Sequence, residues 1–500
     1  MEIFADLLNG FSLALTPANL FACFIGVLAG TLVGILPGLG PSATIAILIP
    51  ATFGMEPATA MIMLAGVYYG AKYGGALTSI MINTPGESSS VMTCVDGYQM
   101  ALNGQAGKAL GIAAIASFVG GTTGVVGLML IAPTLARFAL RFGPPEYFAL
   151  MLMGLVAVIF FGGSSIVKAL IACIFGLLLG TIGIDPLHGQ MRLTFGQVQL
   201  FDGIDFVVVA MGLFAISEVL ANAERFQPLS IMKGKITGLF PNRSDLAKCA
   251  GTFSRSTVIG FFIGVLPGAG ATIASFMAYS AEKSLSKDRA QFGKGAIQGV
   301  AAPETADNAA SVGAFVPLLT LGIPGSGSTA ILLGAMMLYG VRPGPLLFTQ
   351  EPEFIWTIIA SMYIGNVMLL IMNLPLVPLF AQALKVRYSI LYPVILMVCV
   401  VGAYSLDNSV FDVGLMFLFG VIGYIMKKYG FPAAPVVLAL VLGPMIERAL
   451  AQSLSMSQGD ATIFFTRPIS ASLLAFIALI VGGISLSWLM RRRAAAHHQV

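Results

Sequence analysis

The chain reads as long apolar runs separated by short polar joints. Runs at 18–36, 107–134, 146–163, 165–184, 204–222, 354–382, 388–404, 410–428, 431–449 and 469–490 carry few charges. Each is near or above the ~17–25 residues of a bilayer-spanning helix, so each predicts one. Two further regions, 37–90 and 267–345, are apolar but punctured by Gly and Pro. They predict discontinuous segments, and the whole pattern predicts about 11–13 crossings plus these broken pieces. A membrane β-barrel is excluded, because it would alternate over segments of about ten residues.

Composition strengthens this reading. Of the 500 residues, 57% are hydrophobic and 10% charged, with a mean hydropathy of +0.92. Soluble domains carry roughly 25% charged residues, so the expected class is an all-α polytopic membrane protein. Charge then orients it. No Lys or Arg occurs in residues 1–71, six fall in "ERFQPLSIMKGKITGLFPNRSDLAKCAGTFSR", and the chain ends with "RRR" at 491–493. By the positive-inside rule the central loop and C-terminus face the cytoplasm, with the acidic N-terminus outside. Glu2 and Asp6 precede the first apolar segment without a basic n-region, so no cleavable signal is expected. The five cysteines are scattered and read as buried thiols. The net charge of +4 gathers in a few loops and implies no nucleic acid.

An internal repeat emerges from the same pattern. "GILPGLGPSATIA" at 34–46 returns as "GVLPGAGATIA" at 264–274, and "GGALTSIMINTPGESSS" from 74 matches "GAFVPLLTLGIPGSGST" from 313. "IAS" at 115–117 returns at 359–361, and Phe175-Gly176 at Phe419-Gly420. The offsets are 230, 239, 244 and 244, in order. One copy begins after the acidic end and the other after the basic loop. That predicts two inverted-topology repeats, a plan common among secondary transporters; a parallel duplication is the alternative. The expected organisation is a first repeat over 1–222 with a re-entrant hairpin near 74–90, and a basic cytoplasmic connector over 223–256. A second repeat over 257–450 has its hairpin near 313–329, and a final helix with a basic tail covers 451–500.

The chemistry sits at the breaks. In hydrocarbon, unpaired backbone survives only where protein or a water-filled cavity covers it. A Pro-Gly break in apolar sequence therefore exposes N–H groups at a helix start, where the dipole favours an anion. The first break offers Asn83, Thr84, Pro85, Gly86, Ser88 and Ser89 for an anionic substrate, and the second offers Pro324, Gly325, Ser326, Gly327, Ser328 and Thr329. Ordinary Pro-kinked helices, with hydroxyls bonding back to the backbone, are the alternative. Gly38 and Gly40 of "LPGLGP", and Gly268 and Gly270 of "LPGAG", can turn backbone carbonyls outward towards sodium; close packing through small residues explains them equally. Glu304, Asp307 and Asn308 in "AAPETADNAASVG" share one helix face and line an ion pathway, or else cap a cytoplasmic helix. Lys72 can meet an anion, whereas Lys168 reads as structural. Glu87 would repel an anionic substrate, so it is expected to face away, capping its own helix or pairing with a cation. "GQAGKA" lacks the phosphate-loop spacing, and no HExxH exists, so neither ATP nor a zinc protease is indicated.

Together, "GILPGLGPSATIAILIPATFGM", "YYGAKYGG", "NTPGESSS", "DGYQMALNGQAGKALGIAAIASFVGG", "AAPETADNAA" and "LGIPGSGSTA" resemble the large membrane subunit of the tripartite tricarboxylate transporters, the TctA family. The resemblance covers nearly the whole chain. It implies a sodium-driven symporter of a di- or tricarboxylate in a bacterial inner membrane, with no cofactor besides the coupling ion and no enzymatic activity. It also implies a small four-helix membrane subunit and a periplasmic solute-binding protein as partners. More distant analogy adds an elevator movement of two hairpins against a scaffold. An anion-selective channel, using the same hairpins without coupling, is the alternative. A membrane enzyme acting on lipid carriers is disfavoured because no acid–base or metal cluster appears.

Overall fold

The structure is a computed structural model and describes residues 2–36, 39–161, 165–185, 189–224, 238–268, 270–377, 379–380 and 388–497. Each of the ten apolar runs coincides with a helix: Pro17–Gly34, Ala106–Ala139, Pro144–Phe161, Ile166–Leu179, Phe206–Glu224, Pro352–Asn373, Tyr388–Asp407, Val410–Lys428, Ala434–Met456 and Pro468–His497. Among the described residues six helices are long and apolar enough to cross a membrane, and the other four of these ten contain shorter apolar stretches. Phe21, Leu170, Ile171, Val401 and Leu418 point outward, as hydrocarbon-facing side chains do. The chain is thus an all-α, multi-pass membrane protein. A two-residue hairpin, Gly183–Ile184 against Met191–Arg192, is the one pair of strands among the described residues.

Two helices form the centre. Pro57–Ile82 is buried without interruption from Ala60 to Met81, and Ile297–Gly313 from Gly299 to Gly313. A helix buried all round must be surrounded by other helices, and small residues let the neighbours come close. Helix 17–34 lies on helix 57–82 through Gly26, Gly30 and Gly34. A Cβ at these positions would stand 2.1, 2.3 and 2.4 Å from the carbonyl oxygens of Met63, Val67 and Ala71. Helix Arg243–Val265 lies on helix 297–313 in the same way. A Cβ at Gly260 or Gly264 would stand 2.4 or 2.2 Å from the carbonyl oxygens of Ala306 or Ala310. Backbone contact of this kind is the membrane substitute for hydrophobic burial.

The two interfaces correspond residue by residue. An offset of 230 carries Gly30 and Gly34 onto Gly260 and Gly264, and 239 carries Val67 and Ala71 onto Ala306 and Ala310. These are offsets already visible in the sequence. The segments at 74–82 and 313–321 are different from simple hairpin arms. The first is the end of the 26-residue helix Pro57–Ile82. The second, Phe315–Leu321, follows helix 297–313 after only Ala314. Both Pro-Gly pairs lie outside helices, in the gaps 83–87 and 322–326.

Candidate functional site

Each central helix stops in the same manner. Asn83 ends helix 57–82 in the left-handed conformation, φ 52 and ψ 31, and Gly322, φ 69 and ψ 26, ends Phe315–Leu321, the helix that follows 297–313 after Ala314. Asn and Gly are the residues that tolerate this conformation. A Pro-Gly pair follows, and the chain then extends at Glu87 (φ −148, ψ 172) and at Ser326 (φ −158, ψ 170) before turning into a new helix. Ser90 Oγ accepts from Glu87 N at 3.4 Å, and Thr329 Oγ1 accepts from Ser326 N at 2.8 Å. Asn83, Glu87 and Ser90 stand 239 residues before Gly322, Ser326 and Thr329. Gly86 is pressed into the notch between the paired helices: a Cβ there would stand 2.6 Å from Gly75 Cα and 2.7 Å from Gly34 O. Gly325 fills the matching notch beside Ala314 and Gly264.

The Leu-Pro-Gly turns lie against these breaks. Gly268 N donates to Gly325 O at 3.0 Å, with Gly268 at φ +80 and Gly270 at φ +62. Gly40 has an ordinary φ of −71 and approaches Glu87 Cβ; Gly38 lies outside the described residues. From these turns start helices Pro41–Leu48 and Gly270–Leu285. Their first turns reach the opposite break. Ser42 Oγ meets Ser328 Oγ at 2.9 Å, and Thr272 Oγ1 meets Ser88 Oγ at 2.9 Å. Ser42 and Thr272 each sit two residues past the last glycine of their turn. Sequence alone singles out neither of them; their position after the duplicated turn is the one signal that marks them.

Between the two central helices lies a buried charged network. Lys72 Nζ stands 2.6 Å from Glu87 Oε1 and 3.0 Å from Asp307 Oδ1, and donates to Ser89 Oγ at 3.1 Å. Oδ1 of Asp307 makes this ion-pair contact without a hydrogen bond of its own. Ser89 Oγ lies 2.6 Å from Glu87 Oε1 and 2.9 Å from Asp307 Oδ2, with one hydrogen to give between them. The Lys72 ammonium also stands over the Tyr68 ring, 5.7 Å from its centre. Glu87 therefore pairs with a cation, and it also forms a capping box with Ser90 at the start of the turn 88–90, so it takes both of the roles expected for it.

Glu304 points elsewhere. Its carboxylate accepts from Thr93 Oγ1 at 2.5 Å and Ser117 Oγ at 3.1 Å. It sits seven residues inside its helix, so it is no helix cap. Asn308 turns back on its own helix, donating to Glu304 O at 3.0 Å. Shared spacing therefore put three polar residues side by side, yet they serve three separate neighbourhoods. Ser89 and Thr329 are buried in internal bonds, while Asn83 and Ser88 are exposed. Lys168 donates to Tyr429 O at 2.7 Å and stands over Phe431, a structural placement.

No solved structure matches this chain. An uncharacterised 52.8 kDa protein of Agrobacterium vitis, from the 3′ region of ttuC′ in TAR-I, is 48% identical over 475 residues, covering 95% of each chain. An uncharacterised protein from the corresponding TAR-II region is 49% identical over 215 residues, which is 43% of this chain and 89% of that one. The profile of the tripartite tricarboxylate transporter TctA family runs from residue 20 to residue 438, through both breaks, both Leu-Pro-Gly turns and the Lys72 network, and the chain belongs to that family.

Proposed function

We propose that this chain is the carrier subunit of a sodium-coupled symporter for a di- or tricarboxylate of the citrate kind. It works in a bacterial inner membrane with its C-terminus in the cytoplasm. A periplasmic solute-binding protein delivers the substrate, and a small four-helix membrane subunit completes the assembly. The observation that carries this reading is the crossed pair of contacts, Ser42 with Ser328 and Thr272 with Ser88. Each joins a helix start of one half to the break of the other. Helix starts hold unsatisfied N–H groups and the positive end of the dipole, so each junction suits one carboxylate. Two junctions suit a substrate with at least two. Sodium takes backbone carbonyls at the Gly40, Gly268 and Gly270 turns, the arrangement common where unwound chain lines a transporter cavity.

An inverted repeat is supported by how the central helices cross. Tyr68 and Tyr69 pack on Phe315, while Lys72 meets Asp307. The numbers rise along one helix as they fall along the other, so the two counterparts run antiparallel. Lys168, at the start of helix 166–179, likewise bonds Tyr429 just past the end of its counterpart, helix 410–428. Two opposed broken helices moving against the remaining helices would give an elevator, by analogy with other ion-coupled carboxylate carriers.

The test is reconstitution of all three components in liposomes under an inward sodium gradient. Uphill accumulation of a labelled dicarboxylate that collapses with the gradient is the expected result. Equilibration without accumulation would make the chain a channel. No uptake of any carboxylate would sink the reading.

A further inference from the structure

Glu304 is a buried carboxylate for which the proposed transport function has no use. It is 1% exposed, within helix 297–313, and its two oxygens are met by the hydroxyls of Thr93 and Ser117. Among the described residues these are its only side-chain hydrogen bonds. The Lys72 ammonium is already held by Glu87 and Asp307. Among the described residues the other ionisable groups that act on it or feel it are Asp307 on its own helix, Glu87 from the first break, Tyr73 from helix 57–82 and Cys94 from helix Val91–Leu102. None of them is cationic. An isolated carboxylate in such a place takes up a positive charge or becomes neutral.

The space around it decides which. A sodium ion asks for a shell of oxygens, as hard cations do, and here two hydroxyls already touch the carboxylate directly. Beside Ser117 lies a small cavity of about 20 Å³, lined also by Tyr73, Asn373, Leu77 and Leu110. That is room for a single water. Ser117 thus stands between a water-sized hole and Glu304 Oε2.

We propose that Glu304 is a proton-binding site, loaded through Ser117 from the adjoining cavity. A proton reaching the cavity water passes to Ser117 Oγ as Ser117 gives its own hydrogen to Glu304 Oε2. The carboxylate becomes a carboxylic acid, and the reverse sequence releases the proton. The coupling role rests on the transport function proposed above: there, a proton accompanies the carboxylate and sodium.

Infrared difference spectroscopy of the purified full-length chain tests the site without any transport. At neutral pH the wild type shows a protonated carboxyl C=O band that Glu304→Gln removes, with both proteins eluting as folded species. Ser117→Ala keeps the band but slows its shift on transfer to heavy water. Absence of the band at neutral pH, or its survival in Glu304→Gln, overturns the proposal. A band that appears only when sodium is withdrawn assigns the site to sodium instead. Unchanged heavy-water exchange in Ser117→Ala removes the relay. In liposomes holding all three components, inward carboxylate movement acidifies the lumen in the wild type and not in Glu304→Gln. Wild-type carboxylate uptake without acidification ends the coupling role. Failure of wild-type uptake ends the transport reading, while the infrared band still decides whether Glu304 binds a proton.

Discussion

Replacing Lys72 by Met tests whether the buried network holds the two central helices together. Met keeps the unbranched side chain as far as Cε and deletes the ammonium. Glu87 and Asp307 then face each other with Ser89 alone between them, and Ser89 has one hydrogen for two carboxylates. Lys72 and Asp307 are both nearly inaccessible and the Glu87 side chain is only 10% exposed, so solvent cannot stand in for the lost charge. Breaking a buried ion pair by removing one partner costs about 3–5 kcal/mol. At 1.4 kcal/mol per tenfold, the middle of that range shifts the folding equilibrium roughly a thousandfold. The assay is denaturant unfolding of the purified protein in a mild detergent, followed by thermal melting. The triple replacement Lys72→Met, Glu87→Gln, Asp307→Asn removes every charge of the network and is expected to recover most of the loss, since neutral groups of similar size replace buried ions at little cost. If Lys72→Met unfolds at the wild-type denaturant concentration, the network is incidental. If the triple variant is no better than the single one, side-chain packing rather than charge is what Lys72 supplies.

Gly264→Ala should fail to give folded protein, because its Cβ would sit 2.2 Å from Ala310 O, whereas Gly414→Ala, with nothing within 4 Å, should elute and melt as wild type. Asp96 accepts from the N–H groups of Gly293, Gly295 and Ala296 and from the Tyr279 hydroxyl; Asp96→Ala should therefore speed hydrogen exchange at 293–296 by a factor of about ten or more, since bonds to a charged acceptor are worth ~1.5–3 kcal/mol each. Ser88→Ala should raise the substrate concentration needed for half-maximal uptake roughly ten- to hundredfold, the size of one lost bond to a charged ligand, while Glu87→Gln alters folding or sodium dependence; the reverse pattern in paired sodium and substrate titrations would undo those roles. Uptake at micromolar substrate should be negligible with this chain alone and return when both companion subunits are supplied, which a filter assay on proteoliposomes reads directly.

The breaks were legible because a helix stop is a local event. An adjacent Pro-Gly pair breaks a helix locally, so Pro85-Gly86 and Pro324-Gly325 announced the gaps at 83–87 and 322–326, whereas the single prolines 133, 303, 393 and 444 lie inside helices. The glycines of helices 17–34 and 243–265 were not singled out from the sequence, although small residues every fourth position fit a close interface. The partners were not legible. Ser42 and Ser328 are 286 residues apart, and Thr272 and Ser88 are 184 apart; periodicity along a helix says nothing about which helix it meets. A lysine inside an apolar helix states only that a carboxylate is near. Yet the duplication holds more than a set of matching motifs. Moved by 239 residues, Lys72 falls on Ser311 and Tyr68 falls on Asp307. If the counterpart helices cross antiparallel about a two-fold axis, a contact between Lys72 and Asp307 requires its mate, Tyr68 with Ser311. Ser311 does lie beside the Tyr68 hydroxyl, although its own hydroxyl donates to Asp307 O. In that arrangement the Lys72–Asp307 pair and the Tyr68–Ser311 pair are mates, two residues to either side of a crossing at Gly70 and Ala309. Each half supplies one member of each pair, Tyr68 and Lys72 from the first and Asp307 and Ser311 from the second, so equivalent positions of the two halves carry unequal chemistry.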